Sequence, residues 1–101
     1  MATSITVAEL KKAIAVSPNV CVIDVRRKAD YEKSPEMIEG ATWNDPETVE
    51  EWSSKIPHDK NVIVYCVKGG SVSQSVAGLL EKSHPDVRFL EGGILHWQDD
   101  A

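Results

Sequence analysis

The chain has only two cysteines, Cys21 and Cys66, in its 101 residues. That is too few for a disulfide framework, and the two are not spaced as a pair of metal ligands. The three histidines, His58, His84 and His96, show no ligand spacing either, so no metal site is expected. Basic residues are outnumbered by acidic ones, 11 to 16, and form no cluster; the resulting net charge of −5 argues against nucleic acid or an anionic membrane surface as a partner. No apolar run approaches the length that crosses a bilayer. The opening stretch Met1-Ala2-Thr3-Ser4-Ile5 lacks the basic and apolar regions of a signal peptide, and the expected location is the cytoplasm. A glycine-rich dinucleotide fingerprint and a Walker loop are both missing, and no organic cofactor is expected. Repeats, linkers and low-complexity segments are missing too.

What is present is an alternation of short apolar runs and helical patterns within a length typical of one domain, residues 1–101. Thr6-Val7-Ala8-Glu9 reads as a capping box, opening a helix from Val7 to Val16 with Val7, Leu10, Ala13, Ile14 and Ala15 on its apolar face. Ser17-Pro18-Asn19 stops it. Val20 to Val25 is apolar at nearly every position, the pattern of a strand buried on both faces in a parallel sheet. A short helical turn is expected around 29–33, and a short strand near 41–42. Asn44 or Asp45 then caps a helix with Pro46 at its first position and Val49, Trp52 and Ile56 on one side. His58 and His84 neighbour prolines and read as solvated turn residues. Val87 to Leu90 is a further strand, followed by Glu91-Gly92-Gly93 and a short helix bearing Ile94, Leu95 and Trp97. The expectation is an α/β fold with a mainly parallel sheet covered on both faces.

The rest of the chain is arranged around residues 61–80. Val62 to Tyr65 is a β-branched run. Val72, Val76, Leu79 and Leu80 recur at helical spacing. Between the two lies a short loop that opens on Cys66 and contains Gly69 and Gly70. A strand feeding a tight glycine loop and a helix gathers backbone N–H groups around one point, where an anion is favoured. A cysteine at the mouth of such a loop is favoured as its thiolate, which makes Cys66 the candidate nucleophile. A free cysteine ending a core strand can equally be an inert small hydrophobe, and that is the reading given to Cys21. Asp24 and Arg26 end the strand beside it, at the edge where parallel sheets bind ligands. A structural ion pair or a capping role is preferred for both.

Val22-Ile23-Asp24-Val25-Arg26, Glu39-Gly40-Ala41, Val64-Tyr65-Cys66-Val67-Lys68-Gly69 and Phe89-Leu90-Glu91-Gly92-Gly93 with Trp97 resemble, in order and spacing, the rhodanese (thiosulfate sulfurtransferase) domain. The resemblance covers almost the whole chain and implies three α/β/α layers around a five-stranded parallel sheet. It also implies a sulfurtransferase in which Cys66 carries sulfur as a persulfide. Val67, Lys68, Gly69, Gly70, Ser71 and Val72 would surround the sulfur, with Asp24, Arg26 and Ser73 in support. The chain departs from the pattern at Ser71, where many members have arginine, at Val72, where they have serine or threonine, and at Glu36-Met37-Ile38-Glu39, where a histidine-containing turn is usual. Without a loop arginine, Lys68 is the one side-chain cation expected at the loop.

The implied partners are a small anionic sulfur donor such as thiosulfate and an acceptor, either cyanide, a thiol or a protein cysteine. Two other readings stand beside this one. A cysteine phosphatase or arsenate reductase would need an arginine at the position of Val72 to clamp a tetrahedral oxyanion. A non-catalytic module of the same family would bind a partner protein or sense redox state.

Overall fold

The computed structural model describes residues 3–16, 19–57 and 59–99. The helix-stopping Ser17-Pro18 and the turn residue His58 lie outside them. Five strands form one sheet: β1 (Thr3–Ile5), β2 (Val20–Asp24), β3 (Thr42–Trp43), β4 (Asn61–Tyr65) and β5 (Arg88–Leu90). The order is β1-β5-β4-β2-β3 with every pairing parallel. Five helices connect and cover them: α1 (Val7–Val16), α2 (Lys28–Lys33), α3 (Val49–Trp52), α4 (Ser71–Leu80) and α5 (Gly93–Asp99).

Central β4 shows why both faces must be covered. Its side chains alternate, and from Val62 to Tyr65 none is more than 2% exposed, so an apolar residue is needed at every position. Val62 and Val64 join Ile23, Val49, Ile56, Val76 and Leu80 on the face beneath α3 and α4. Ile63 and Tyr65 join Val7, Leu10, Val22, Leu90 and Ile94 on the face beneath α1 and α5. The β2–β4 register sets Cys21 opposite Val62 and Val22 opposite Ile63, so the two strands feed the same two cores in step. A fully buried Leu or Val side chain contributes roughly 1.5–3 kcal/mol.

Local chemistry sets the helix ends. Thr6 Oγ1 accepts from the Glu9 amide at 3.1 Å while Glu9 Oε1 accepts from the Thr6 amide at 2.9 Å. This reciprocal pair starts α1, and its backbone contact holds the Glu9 carboxyl below the usual range. Asp45 accepts from the Glu47 amide at 2.9 Å ahead of Pro46. The segment expected there as one helix is broken. A 3-10 turn at Pro46–Thr48 precedes α3, and another at Ser53–Lys55 follows it. Val49 and Ile56 are buried nonetheless, and Trp52 packs on the same core with Nε1 donating to the Asp45 carbonyl at 2.8 Å.

Three expectations need correction. His84 is not a solvated turn residue: it is 4% exposed, with its ring nitrogens within 3.2 Å of Ser83 Oγ and the Ile56 carbonyl oxygen. Leu79 is 53% exposed because α4 meets the sheet through Ser73, Val76, Ala77 and Leu80, and residue 79 falls outside that stripe. Ala15 is exposed, since α1 buries Val7 and Leu10 and turns its last residues outward.

Candidate active site

Strand β4 ends at Tyr65 and places Cys66 at the carboxyl edge of the sheet, 5% exposed, with α4 beginning at Ser71. The loop between them is fixed from below by the turn joining β5 to α5. The Ile94 amide donates to the Cys66 carbonyl at 2.9 Å and the Leu95 amide donates to the Val67 carbonyl at 3.2 Å. Further along, Gln74 donates twice, from Nε2 to the Gly69 carbonyl at 3.0 Å and from its amide to the Gly70 carbonyl at 3.2 Å. These contacts occupy the carbonyls of Cys66, Val67, Gly69 and Gly70. Among the described residues, no protein acceptor claims the amides of residues 67 to 73. A run of amide donors without acceptors, in the loop and first helical turn that follow Cys66 and line the same cavity, makes the local potential positive.

Two glycines permit this close approach. Gly69 has φ +71°, and a Cβ there would lie 2.6 Å from both the Gly92 nitrogen and the Leu90 oxygen. Gly93 has φ +61°, and its Cβ would lie 2.6 Å from the Val67 carbonyl carbon. Both positions therefore require glycine for backbone conformation and for space.

Cys66 opens on a cavity of about 340 Å³ lined by Val67, Lys68, Gly70, Ser71 and Val72 from the loop and by Arg26, Arg27 and Asp30 from the opposite wall. Behind the sulfur, buried Ser73 places its Oγ 3.2 Å from Sγ and 3.5 Å from the Gly70 carbonyl. The hydroxyl accepts from the thiol and can rotate to donate to a thiolate. Ser71 is exposed, and Gly69 contributes its conformation without lining the cavity. A larger cavity of about 420 Å³ lies at the other end of the sheet, among Thr3, Val20, Asn61 and Arg88 at the amino ends of four strands. It contains neither cysteine.

Asp24 and Arg26 form a buried ion pair, 0% and 2% exposed. Nη2 lies 2.7 Å from Asp24 Oδ2, and Nε donates to the same oxygen at 2.9 Å. The remaining donors brace the chain beyond α2: Nη1 reaches the Ser34 carbonyl at 2.7 Å and Nη2 the Glu36 carbonyl at 3.0 Å. Burial works against the Arg26 charge, but the hydrogen bond and charge of Asp24 outweigh it and hold the guanidinium above its ordinary range. Arg26 thus touches the cavity with all three of its guanidinium nitrogens already bonded. Beneath it, Tyr65 accepts from the Ile38 amide at 3.2 Å. Burial pushes the Tyr65 phenol well above its usual range, and the nearby Asp24 carboxylate adds to that.

Arg27 and Asp30 were not singled out from sequence, and Lys68 is therefore not the one cation at the site. The signal was present: Arg27 lies three residues beyond the end of β2, at the carboxyl edge where parallel sheets bind ligands. The turn at Gly92–Gly93 was expected from sequence, but its bracing role and that of Gln74 were not, because each depends on which loop these residues pack against. Cys21 lies against the core below α3 and α4, away from the cavity, and burial pushes its thiol up with Lys60 partly opposing. Among the described residues no group of His, Cys, Asp or Glu is arranged to hold a metal ion. No helix among them is long and apolar enough to cross a membrane.

The architecture and this site define an α/β protein that presents a single cysteine in a glycine-shaped, donor-rich loop at the carboxyl edge of a parallel sheet. Residues 6–100 match the model of the rhodanese-like domain, and the chain belongs to that family. It is 29% identical to a sulfurtransferase of Allochromatium vinosum over 97 residues, covering 96% of this chain and 89% of that protein. It is 37% identical to the thiosulfate sulfurtransferase GlpE of Coxiella burnetii over 81 residues, 79% of this chain and 73% of that one. The solution structure of the rhodanese-like domain of the Anabaena protein Alr3790 covers all of this chain and 76% of its own, with a TM-score of 0.83 at 23% identity.

Proposed function

We propose that the protein is a sulfurtransferase that moves a sulfane sulfur from an anionic donor such as thiosulfate to a thiophilic acceptor through a persulfide on Cys66. The Cys66 thiolate attacks the outer sulfur of the donor. The donor's S–S bond breaks, and with thiosulfate sulfite leaves with the electron pair. Transfer carries the negative charge from Sγ to the terminal sulfur of the persulfide, outward toward the loop amides, which stabilise it without reorganising. Cyanide, a small thiol or a protein cysteine then attacks that terminal sulfur and returns Cys66 to the thiolate. No oxidant or reductant enters the cycle.

The observation that carries this reading is the run of amides from residue 67 to residue 73, beside Cys66, that no acceptor among the described residues claims. Names among the relatives, sulfurtransferase and thiosulfate sulfurtransferase, support the same class of reaction. The test is an intact-mass spectrum after incubation with thiosulfate, together with steady-state transfer to cyanide. One added sulfur, removed by reductant and missing in Cys66→Ser, is the expected result. Cys21→Ser should still acquire the sulfur, with some loss of stability from placing a hydroxyl in a half-buried apolar site. Loading on Cys21 in place of Cys66 would overturn the assignment, and no turnover with any sulfane donor would leave a binding module.

A further inference from the structure

Facing Cys66 across the cavity, α2 and the residue that caps it contribute two exposed side chains of opposite sign, Arg27 and Asp30. Three residues apart at the start of a helix, they lie on one face. Among the described residues, neither side chain makes a hydrogen bond or an ion pair, with each other or with anything else. This separates them from Arg26 next door, each of whose guanidinium nitrogens is bonded to Asp24 or to the Ser34 or Glu36 carbonyl. Two opposite charges left unpaired on one cavity wall are poorly suited to a purely anionic ligand, because the carboxylate repels it. The cavity is also larger than thiosulfate needs. That ion has about the bulk of three or four waters at roughly 30 Å³ each, near a third of the 340 Å³ available.

We propose that Arg27 and Asp30 read the two charges of a small zwitterionic thiol of the amino-acid type. Its persulfide is the donor to Cys66 and its free thiol the acceptor. The inference rests on the sulfurtransferase reading above. Arg27, with Lys68 on the facing loop, meets the ligand's carboxylate, and Asp30 meets its ammonium. Both directions use one step. The Cys66 thiolate attacks the terminal sulfur of the ligand persulfide, a new S–S bond forms at Sγ, the ligand's own S–S bond breaks, and the ligand leaves as thiolate with the electron pair. In reverse, the ligand thiolate attacks the Cys66 persulfide. Sulfur moves at constant oxidation state and no further reactant is needed.

The test is single-turnover loading of Cys66, followed by intact mass, from three persulfides that differ only in charge. These are the persulfides of L-cysteine, of 3-mercaptopropionate (carboxylate alone) and of cysteamine (ammonium alone). Each variant is compared with wild type donor by donor, which cancels differences in intrinsic reactivity. Arg27→Gln should slow loading from the cysteine and mercaptopropionate persulfides by roughly two- to fivefold, as expected for losing one solvent-facing ion contact, while cysteamine persulfide is unimpaired. Asp30→Asn should slow the cysteine and cysteamine persulfides and spare mercaptopropionate. Lys12→Gln, on the exposed side of α1, should change none of the three. If each variant alters all three donors equally, or none by as much as twofold, the charge-reading role is overturned while Cys66 transfer stands. If wild type takes sulfur from none of these donors nor from thiosulfate, the sulfurtransferase reading falls and this inference with it.

Discussion

The amide of Ile94 donates to the carbonyl oxygen of Cys66 at 2.9 Å, so the residue bearing the candidate nucleophile is held by the first turn of the last helix. The loop sequence alone does not determine the loop's shape. The turn beneath it, Glu91-Gly92-Gly93, shares that task.

Gly93 is where that dependence is most exposed. Gly93→Ala imposes a strained φ and drives a Cβ against the Val67 carbonyl, at a cost of roughly 1–3 kcal/mol. Sulfur transfer should fall at least tenfold while the domain still folds. Gly78→Ala is the control: it lies inside α4 with nothing within 4 Å of a new Cβ, and it should stabilise by about 0.5–1 kcal/mol. Urea unfolding and turnover on both variants test the pair, and equal effects on the two would contradict the loop-bracing role.

Removing one member of the Asp24–Arg26 pair leaves a buried charge without its counter-ion. Asp24→Asn should destabilise by about 3–5 kcal/mol. The double variant Asp24→Asn/Arg26→Met should recover part of that loss, although the Ser34 and Glu36 carbonyls then lose their donors. A double-mutant cycle measured by denaturant unfolding gives the coupling. A coupling near zero would mean that the two residues act independently.

Lys68 projects from the loop into solvent at the cavity mouth. On the proposed function its charge would steer an anionic donor without touching the transferring sulfur, so Lys68→Ala should raise the KM for thiosulfate several-fold and alter kcat less. The effect should shrink as salt rises, since exposed charges are screened. Identical kinetics at low and high ionic strength would make Lys68 a bystander.

Tyr65 predicts how stability changes at alkaline pH. Burial keeps its phenol neutral in the folded protein, whereas tyrosines in an unfolded chain ionise near pH 10. Below that pH the two states bind the same proton and the contribution is complete. Above it the unfolded chain gains charge first, and stability falls by up to about 1.4 kcal/mol per pH unit. Tyr65→Phe should flatten this alkaline limb. It should also lower stability at neutral pH by about 1–3 kcal/mol, because the buried Ile38 amide loses its acceptor. Unfolding midpoints between pH 8 and pH 11 would show both effects.

The fold could be read from residues whose meaning is local. Thr6 and Glu9 satisfy each other within one turn, and the unbroken apolar run of β4 has little place except the middle of a parallel sheet. The position of Cys66 could be read in the same way, from a strand, two glycines and a helix in succession. What sequence left hidden depends on distant packing. His84 is buried where the Ile56 carbonyl and Ser83 meet its ring, and Leu79 is exposed because α4 turns Ser73, Val76, Ala77 and Leu80 to the sheet. Arg27 gained its place from the fold of α2 over the carboxyl end of β2. Its neighbour Arg26, identical in type, is turned inward to Asp24.

Among the described residues β1 pairs with β5 alone, Thr3 beside Arg88 and Ile5 beside Leu90, which ties the start of the fold to its last strand. On a ribosome the first strand must wait, unpaired, until the fifth has emerged. Meanwhile β2 and β4 can already meet through a much shorter connection. The turn that braces the Cys66 loop follows β5 directly, and the Glu91 amide is bonded to the Ile5 carbonyl. The shape of the site therefore depends on the pairing of greatest sequence separation in the sheet, the one with the largest loop-closure cost. A chain halted before residue 88 would hold a cysteine but not the loop that positions it.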